Sequence, residues 1–269
     1  MGKVATTVAE TGLFARELRR WRATRRLSQL DLAIRAETTQ RYVSYLEQGR
    51  SQPGRTVVLR LAESLGLSLR ERNALLLAAG YAPAFEESGL DSPRLAPIRT
   101  ALRRVLDGHL PYPALIVNTH GVLVEANAAF ALFTEDTSAE LLREPVNVFR
   151  LALHPDGLAR RVLNLPEWGR HVTEALHARA RLSPDPELHA LVTELESYLP
   201  GAEPGPDHLG FAVPLHLRTG DGDLSLITTV MAIATPTDVA LSELRLEAFL
   251  PVDAATADLL RARAERATR

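Results

Sequence analysis

The chain has no cysteine, and it has no long apolar run. Without cysteine it can form neither a disulfide framework nor a thiolate metal site, and it has no cysteine nucleophile. Because no run reaches about 18 apolar residues, we expect no membrane span and no membrane partner. The opening MGKVATT lacks the apolar segment of a secretory signal. These absences favour a cytoplasmic protein.

The composition is that of a globular protein with an uneven charge distribution. The 269 residues are 46% hydrophobic and 24% charged, enough for one large domain or two ordinary ones. Residues 1–85 contain 14 Lys and Arg against 7 Asp and Glu, a net +7, whereas the remainder has 17 against 26, a net −9. Unless the unevenness is chance, a basic N-terminal third predicts a nucleic-acid-binding module joined to a second module.

Three regions follow one another along the chain. Residues 1–82 show apolar residues at helical spacing, interrupted by glycine-containing turns. Residues 83–107 combine a linker rich in Pro, Ser, Gly and acidic residues with a connecting helix over 95–106. Residues 108–269 form the second domain. We therefore predict a multidomain protein, with an all-α first domain.

The second domain is predicted to be α+β, with a five-stranded antiparallel sheet. Short β-prone runs outline a hairpin at its start, and period-two alternation returns near its end. The predicted strands are 114–118, 121–127, 211–217, 223–235 and 243–250. The predicted helices are 128–133, 138–143, 156–163, 166–181 and 186–199.

Residues 27–67 contain two short helices joined by a tight turn. Ser28 and Asp31 have the spacing of a capping box at the start of the first helix. An apolar stripe of Leu30, Ala33 and Ile34 is expected on that helix. The chain turns at residues 36–38.

Thr39 can cap the second of these helices, residues 40–48. In it Val43 and Leu46 would face inward, while four side chains would face outward: Gln40, Arg41, Ser44 and Tyr45. A short helix that presents Gln and Arg near its N-terminal end is suited to the major groove of DNA. A helical bundle without a DNA partner is the alternative.

The pattern S-Q-x-x-L-A … T-Q-R-Y-V-S-x-L-E-x-G resembles the phage-repressor (Xre, Cro-like) helix-turn-helix family over residues 13–77. The resemblance implies a phosphate contact for Gln29 and base contacts for Gln40, Arg41 and Tyr45, with Ser44 on the same face. Arg50 and Arg55 would hold phosphates, and Thr39 completes the predicted DNA-binding set. It also implies an ion pair between Arg22 and Glu47. Glu37 stands where the family often has glycine.

The second domain shows no pattern of a metal site or of catalysis. Its histidines are scattered, and neither H-x-x-x-H nor H-E-x-x-H occurs. No G-x-S-x-G motif is present, and residues 220–223 are best explained as a hairpin turn. We therefore predict no catalytic residue, no metal and no cofactor in this domain.

The second domain also resembles a known module. PALIVNTHGVLVEAN, NVFRLALHPDGLARRVLNLPEW and GFAVPLHLRTGDGDLSLITTV are similar to the ligand-binding domain of MmyB-like regulators, with coverage of 108–252. The resemblance implies a PAS-like fold that encloses a small apolar ligand, with fatty acids as the suggested class. Residues 125–127 depart from it, because the family usually has an aromatic residue before the Asn.

An apolar cavity with a few polar groups would hold such a ligand. Arg150 is the predicted partner of the acid headgroup, with Asn127 and His154 as secondary polar contacts. Plain core packing is the alternative for each apolar candidate. The apolar candidates are Ile116, Val124, Phe130, Phe133, Phe149, Leu153 and Trp168.

The combined interpretation is a one-component transcription regulator that binds a palindromic double-stranded operator as a homodimer. Its second domain would sense a small apolar ligand. The resemblance implies a bound fatty acid and no other small molecule. Two alternatives remain at this point. The second domain could be only a dimerisation platform with a filled core, or an enzyme acting on a small acid at Arg150 and His154.

Overall fold

The computed structural model describes residues 2–183, 185–199 and 213–267, and the chain divides into two compact units. The first unit comprises residues 1–90 together with 235–242. The second comprises residues 91–234 together with 243–269. The sequence predicts domains at residues 1–82 and 108–269 with a connecting segment between them, and it does not predict that residues 235–242 join the first unit.

The first unit contains five helices in succession. Ser28 and Asp31 form the predicted capping box at the start of the second, and Ser68 and Glu71 form another at the start of the fifth. These caps satisfy backbone N–H groups that have no partner within a helix. The helices are α1 (Gly2–Thr24), α2 (Gln29–Arg35), α3 (Gln40–Glu47), α4 (Arg55–Ser64) and α5 (Leu69–Ala78).

The predicted apolar stripe on α2 is wrong. Ala33 is buried as expected, but the neighbouring buried residue is Leu32, whereas Leu30 and Ile34 are 50% and 67% exposed. The helix has only seven residues and is apolar on more than one side, so its pattern does not define a single inward face. The inward positions predicted for α3, Val43 and Leu46, are both fully buried.

The second unit begins with a helix, which is followed by two strands, a run of four helices and three further strands. Its helices are α6 (Ala96–Asp107), α7 (Ala131–Thr134), α8 (Val148–Leu153), α9 (Leu165–Leu182) and α10 (Pro186–Ser197). Its strands are β1 (Ala114–Val117), β2 (Leu123–Ala126), β3 (Leu215–Thr219), β4 (Gly222–Met231) and β5 (Arg245–Pro251). Between the last two strands the chain forms α11 (Val239–Ser242), and it continues after them as α12 (Ala254–Ala267).

The five strands form one sheet in the order β2-β1-β5-β4-β3, and every neighbouring pair is antiparallel. This confirms the predicted fold class, a helical domain followed by an α+β domain with a five-stranded antiparallel sheet. Strand β5 occupies the centre of the sheet. Side chains from the sheet pack against α9, α10 and α12 to form the core of this unit.

Several element predictions in the second unit need correction. Residues 138–143 form turns instead of a helix, and 156–163 contribute only a short 3-10 helix at Leu158–Arg161. Pro145, which follows this segment closely, disfavours helical backbone at the residue before it. The sequence analysis does not predict helices α8, α11 and α12. Residues 211 and 212 of the predicted strand 211–217 lie outside the described residues.

Residues 235–242 are held in the first unit by backbone pairing and burial. The carboxylate of Asp238 accepts a hydrogen bond from the Ser88 N–H at 3.0 Å. The N–H of Val239 donates to the Glu86 carbonyl at 2.8 Å, and the Val239 side chain is fully buried. The chain thus leaves β4, contributes α11 to the first unit and returns as β5.

In the described part of the chain, no helix combines the length and the apolar character needed to cross a membrane.

Candidate DNA-binding surface and ligand cavity

Helix α3 begins at Thr39, as predicted. The Thr39 hydroxyl accepts a hydrogen bond from the Tyr42 N–H at 3.2 Å and so satisfies one of the free backbone donors. Burial of Val43 and Leu46 fixes the rotation of the helix about its axis. That rotation leaves Gln40 and Arg41 exposed to solvent.

The exposed face of α3 carries an organised pair of side chains. Arg41 donates to the Tyr45 hydroxyl from Nε at 3.0 Å and from a terminal nitrogen at 2.8 Å. Its guanidinium lies 5.3 Å from the centre of the Tyr45 ring, within cation–π range. The Ser44 hydroxyl accepts from the Gln48 amide at 2.9 Å. The three side chains predicted to read bases, Gln40, Arg41 and Tyr45, therefore belong to one short helix together with Ser44.

The predicted phosphate contacts fall into two groups. Arg50, just after α3, and Arg55, the first residue of α4, are both exposed. Gln29 is the first residue of α2, but its side-chain amide donates to the Glu47 carboxylate at 2.8 Å. The Gln29 side chain therefore supports the ion pair between Arg22 and Glu47. Only the backbone of Gln29 is left at the N-terminus of α2.

The predicted ion pair between Arg22 and Glu47 is confirmed. Arg22 binds the carboxylate in bidentate fashion, with N···O distances of 2.6 and 2.9 Å. Burial opposes ionisation of Glu47, but the hydrogen bonds from Arg22 and Gln29 outweigh it and hold the pKa of that carboxyl below its usual range. Arg19 also donates to the Glu47 carbonyl at 2.5 Å. The pair fastens the C-terminal end of α3 to α1.

The turn between α2 and α3 has a left-handed residue at the position where the related family often has glycine. Glu37 adopts φ = +49°, and its side chain is exposed. A residue with a Cβ atom is strained in this region of backbone space. The turn therefore forms at some cost in free energy.

The second unit encloses a cavity of about 300 Å³. Seventeen of its lining residues are apolar, and five are polar or charged. The aromatic lining residues are Phe130, Phe133, Phe149, Trp168 and Phe249. The aliphatic ones are Leu115, Val148, Leu151, Ala152, Leu158, Val172, Ala175, Leu176, Val213, Leu215, Ile227 and Val230. The polar ones are His171, Thr228, Arg179, Arg245 and Glu247.

The cavity lining has an aromatic end and a charged end, because strand β5 and helix α9 place their charged residues together at one end. Alternate residues of β5 face the cavity, namely Arg245, Glu247 and Phe249. The ring of Phe249 packs against Phe133 with centroids 4.7 Å apart. Arg245 and Phe249 are four strand positions apart, a span of roughly 13 Å. Helix α9 adds Arg179 from its C-terminal half.

The charged end of the cavity combines two arginines with one carboxylate. Burial raises the pKa of Glu247, and the nearby Arg179 only partly opposes this. Burial also lowers the pKa of Arg179, and the neighbouring charge of Arg245 lowers it further. One terminal nitrogen of Arg179 donates to the Thr119 carbonyl at 2.6 Å, which fixes the side chain in place. The end of the cavity is therefore cationic, with one acidic group.

Four of the predicted ligand-binding residues line the cavity: Phe130, Phe133, Phe149 and Trp168. Three apolar candidates are not among the described lining residues. Ile116 is buried on β1, where its neighbour Leu115 lines the cavity instead. Leu153 is fully buried in the core, and Val124 is 38% exposed. Strand β1 is buried on both faces, so its sequence does not reveal which face meets the cavity.

The predicted headgroup partner, Arg150, is engaged elsewhere. It binds Glu194 with two N···O distances of 2.7 Å, and Glu194 also accepts from the Tyr198 hydroxyl at 2.7 Å. Burial and this hydrogen bond raise the pKa of Tyr198 to about 12. The ring of His154 packs edge-on against Tyr198, with centroids 4.8 Å apart. Arg150 and His154 thus belong to a polar network outside the described cavity lining.

Asn127, the other polar candidate, is buried with its hydrogen bonds satisfied by backbone. Its amide donates to the carbonyls of Leu106 and Tyr112 at 3.0 and 2.9 Å, and its oxygen accepts from the Ala114 N–H at 3.2 Å. These bonds tie the end of α6 to the start of β1. This structural role accounts for a buried amide at this position.

The charged residues of the cavity were missed by sequence reasoning. A signal was available in residues 243–250, where Arg245 and Glu247 alternate with Leu244 and Leu246. Charged residues at alternate positions usually mark the solvent face of a strand. Because β5 is the central strand and helices cover the sheet, that face meets a cavity instead.

Within residues 2–183, 185–199 and 213–267, no three metal-ligating side chains are grouped.

Comparisons with known proteins agree with both halves of the description. A helix-turn-helix domain model matches residues 13–75, and the model of the MmyB-like transcription regulator ligand binding domain matches residues 98–262. No curated protein matches the chain. The solved structure of an RNA-binding light-oxygen-voltage receptor matches at 16% identity and a TM-score of 0.26. That match covers 99% of this chain and 66% of the receptor chain, so this chain spans just under two thirds of the receptor's length.

The exposed α3 surface on a helix-turn-helix domain, joined to a ligand-binding domain, defines a transcription regulator with a sensing domain. The chain belongs to the MmyB-like transcription regulator family, whose ligand-binding domain accounts for more than half of its length. Both matched models describe domains of regulators, not of enzymes.

Proposed function

We propose that this regulator binds an acidic amphiphile, with a fatty acid as the parent class, and that the bound ligand changes its affinity for an operator. The observation that carries the proposal is the cavity of about 300 Å³, apolar along most of its length and cationic at one end. This volume lies at the lower limit of small-molecule sites. A dimerisation platform with a filled core would have no need of such a space.

The acid headgroup is assigned to Arg179 and Arg245. Guanidinium groups bind carboxylates by paired, charge-assisted hydrogen bonds, and these two lie where the apolar lining ends. They replace Arg150 in this proposal, because they line the cavity and Arg150, which pairs with Glu194, is not among its described lining residues. The acyl chain would extend from them toward Phe133 and Phe249.

The DNA-binding role is assigned to α3 and the residues around it. Gln40, Arg41, Ser44 and Tyr45 would meet base edges, while Arg50 and Arg55 would meet phosphates. A single module of this size makes few contacts, so we propose that the chain acts as a homodimer on a palindromic operator. Sensing and DNA binding require no catalysis, and His154 is used in packing against Tyr198.

Residues 235–242 offer a direct route from the cavity to the DNA-binding unit. They continue from β4 and lead into β5, and both strands carry cavity-lining residues, including Thr228 and Arg245. Asp238 and Val239 anchor the segment within the first unit. A ligand that favours one position of these strand ends would therefore act on the first unit through the chain itself.

The ligand proposal is tested by calorimetric titration of the full-length protein with dodecanoic acid. We expect Arg179→Met to weaken binding by about 10-fold or more, the value of a lost charge-assisted hydrogen bond. Arg150→Met is the matched control and should leave the affinity within twofold. Loss of binding in the control with retention in Arg179→Met would contradict the assignment. Native mass spectrometry of the purified protein would show independently whether a ligand of a few hundred daltons is carried along.

A further inference from the structure

Glu247 is an unusual group for a cavity that receives a fatty acid. It lies on the central strand of the sheet, between Arg245 and Phe249 on the face that lines the cavity. Its carboxylate makes no hydrogen bond to any residue that the structure describes, although Arg179 is close enough to stabilise its charge. Glu247 is half-buried in a largely apolar cavity, so its carboxylate gains from a donor that fills its open acceptor positions.

A simple fatty acid would not supply that partner. Its carboxylate would approach Arg179 and Arg245 and would bring a second anionic group beside Glu247. Two carboxylates in one buried site repel each other unless one of them takes up a proton. The two other donors in the described lining are not bonded to Glu247: Thr228 lies opposite Phe249 on β4, and His171 precedes Arg179 by eight residues on α9, roughly 12 Å along the helix.

Resting on the proposed function, we infer that the natural ligand carries an O–H or N–H donor next to its carboxylate, and that Glu247 accepts a hydrogen bond from this donor. The ligand class is a hydroxylated fatty acid or an N-acyl amino acid, both of which place such a donor near the acid group. Glu247 is then the residue that determines specificity, whereas Arg179 and Arg245 hold the carboxylate common to all candidates. A site built to bond a donor discriminates strongly against a ligand that lacks it.

The test is a calorimetric comparison of three acids on the full-length protein: dodecanoic acid, 3-hydroxydodecanoic acid and N-decanoylglycine. At least one donor-bearing acid should bind about 10- to 100-fold more tightly than dodecanoic acid, since hydrogen bonds to charged groups have this strength. Whichever of the two binds more tightly identifies the source of the donor.

Glu247→Leu should reduce this preference to about twofold or less, and Glu174→Leu, which changes an exposed carboxylate on α9, should preserve it. Equal binding of all three acids by the wild-type protein would overturn the inference and leave the proposed function standing. Binding of none of them would overturn the proposed function itself. The wild-type comparison decides the question even if Glu247→Leu fails to fold.

Discussion

Arg41 and Tyr45 form a small preorganised unit on the exposed face of α3. The Tyr45 hydroxyl accepts two hydrogen bonds from the Arg41 guanidinium, and the Tyr45 ring makes a cation–π contact with it. A guanidinium that is already extended and ordered loses less conformational entropy when it binds a base edge. Arg41 is therefore better placed for sequence reading than an arginine that is free to move in solvent.

We predict that Arg41→Ala relaxes operator specificity. The preference for the selected operator over a site mutated at the contacted base should fall by about 10- to 100-fold, because a bidentate base contact contributes about 1–3 kcal/mol of discrimination. Arg50→Ala is the comparison, and it should weaken binding to all sequences alike and lower the salt dependence. Both are measured by fluorescence anisotropy with selected and mutated duplexes. An unchanged preference in Arg41→Ala would show that another element reads the bases.

A second residue-scale prediction concerns the left-handed turn at Glu37. Glycine has no steric penalty at φ = +49°, so Glu37→Gly should stabilise the first unit by about 0.5–1 kcal/mol, after allowing for the greater freedom of glycine in the unfolded chain. Hydrogen-exchange mass spectrometry of peptides from α2 and α3 would show the slower exchange. Ala74→Gly, at an exposed position in the interior of α5, should have the opposite effect of about 1 kcal/mol. Faster exchange in Glu37→Gly would mean that the Glu37 side chain is needed there.

At the scale of elements, α3 depends on its attachment to α1 through Arg22 and Glu47. The Glu47 side chain is 2% exposed and that of Arg22 is 18% exposed, so removing one partner leaves a buried charge. We expect Glu47→Gln to destabilise the first unit by about 3 kcal/mol. Glu17→Gln, which breaks an exposed pair with Arg20, should change stability by about 0.5 kcal/mol or less.

The same pair predicts a pH dependence with a definite sign. Because the pKa of Glu47 is lower in the folded protein than in the unfolded chain, its contribution to stability is complete above the unfolded value of about 4.5. That contribution is lost as the pH falls through the lower, folded value. Acid should therefore weaken the first unit of the wild type more than that of Glu47→Gln, as followed by hydrogen exchange between pH 6 and pH 3. Parallel pH profiles would contradict this.

The elements differ in how well their sequences predict them. Helix α9 and the hairpin of β1 and β2 show a clear period and firm end signals, and both were predicted within a few residues. Helix α2 is too short for its apolar period to define a face. The sequence therefore predicted that Leu30 faces inward, whereas the buried residue is Leu32. Helix α8 depends on a cap by Asn147, whose oxygen accepts from two backbone N–H groups, a signal that the apolar pattern does not contain.

The site was predicted only in part, for a related reason. Aromatic residues such as Phe133 and Trp168 are recognisable as interior residues, and the motif of α3 predicts which of its positions are exposed. The proposed headgroup residues, Arg179 and Arg245, come from distant parts of the chain, and both line the cavity because β5 is a central strand of the sheet. Sequence alone does not state that order, and Arg150 was predicted only because a guanidinium can bind a carboxylate by two hydrogen bonds.

At the scale of the whole molecule, residues 235–242 make the connection between sensing and DNA binding testable. Asp238 accepts hydrogen bonds from Ser88 and from the first turn of α11. We predict that Asp238→Ala retains affinity for dodecanoic acid within about threefold but reduces the effect of that acid on operator affinity. Asp258→Ala, on the exposed side of α12, should leave both unchanged. Titrations of ligand and of operator on the same preparations would separate the two quantities, and an undiminished ligand effect in Asp238→Ala would exclude this route.

The central claim is that occupancy of the cavity controls DNA binding. Its most direct test is the affinity of the full-length protein for an operator selected from random DNA, measured by fluorescence anisotropy with and without saturating amounts of the tightest-binding acid. We predict that the acid changes the operator affinity by about 5- to 150-fold, the usual range of coupling between two sites. Arg179→Met should abolish this change at the same acid concentration. The same operator affinity with the cavity filled and empty would contradict the central claim.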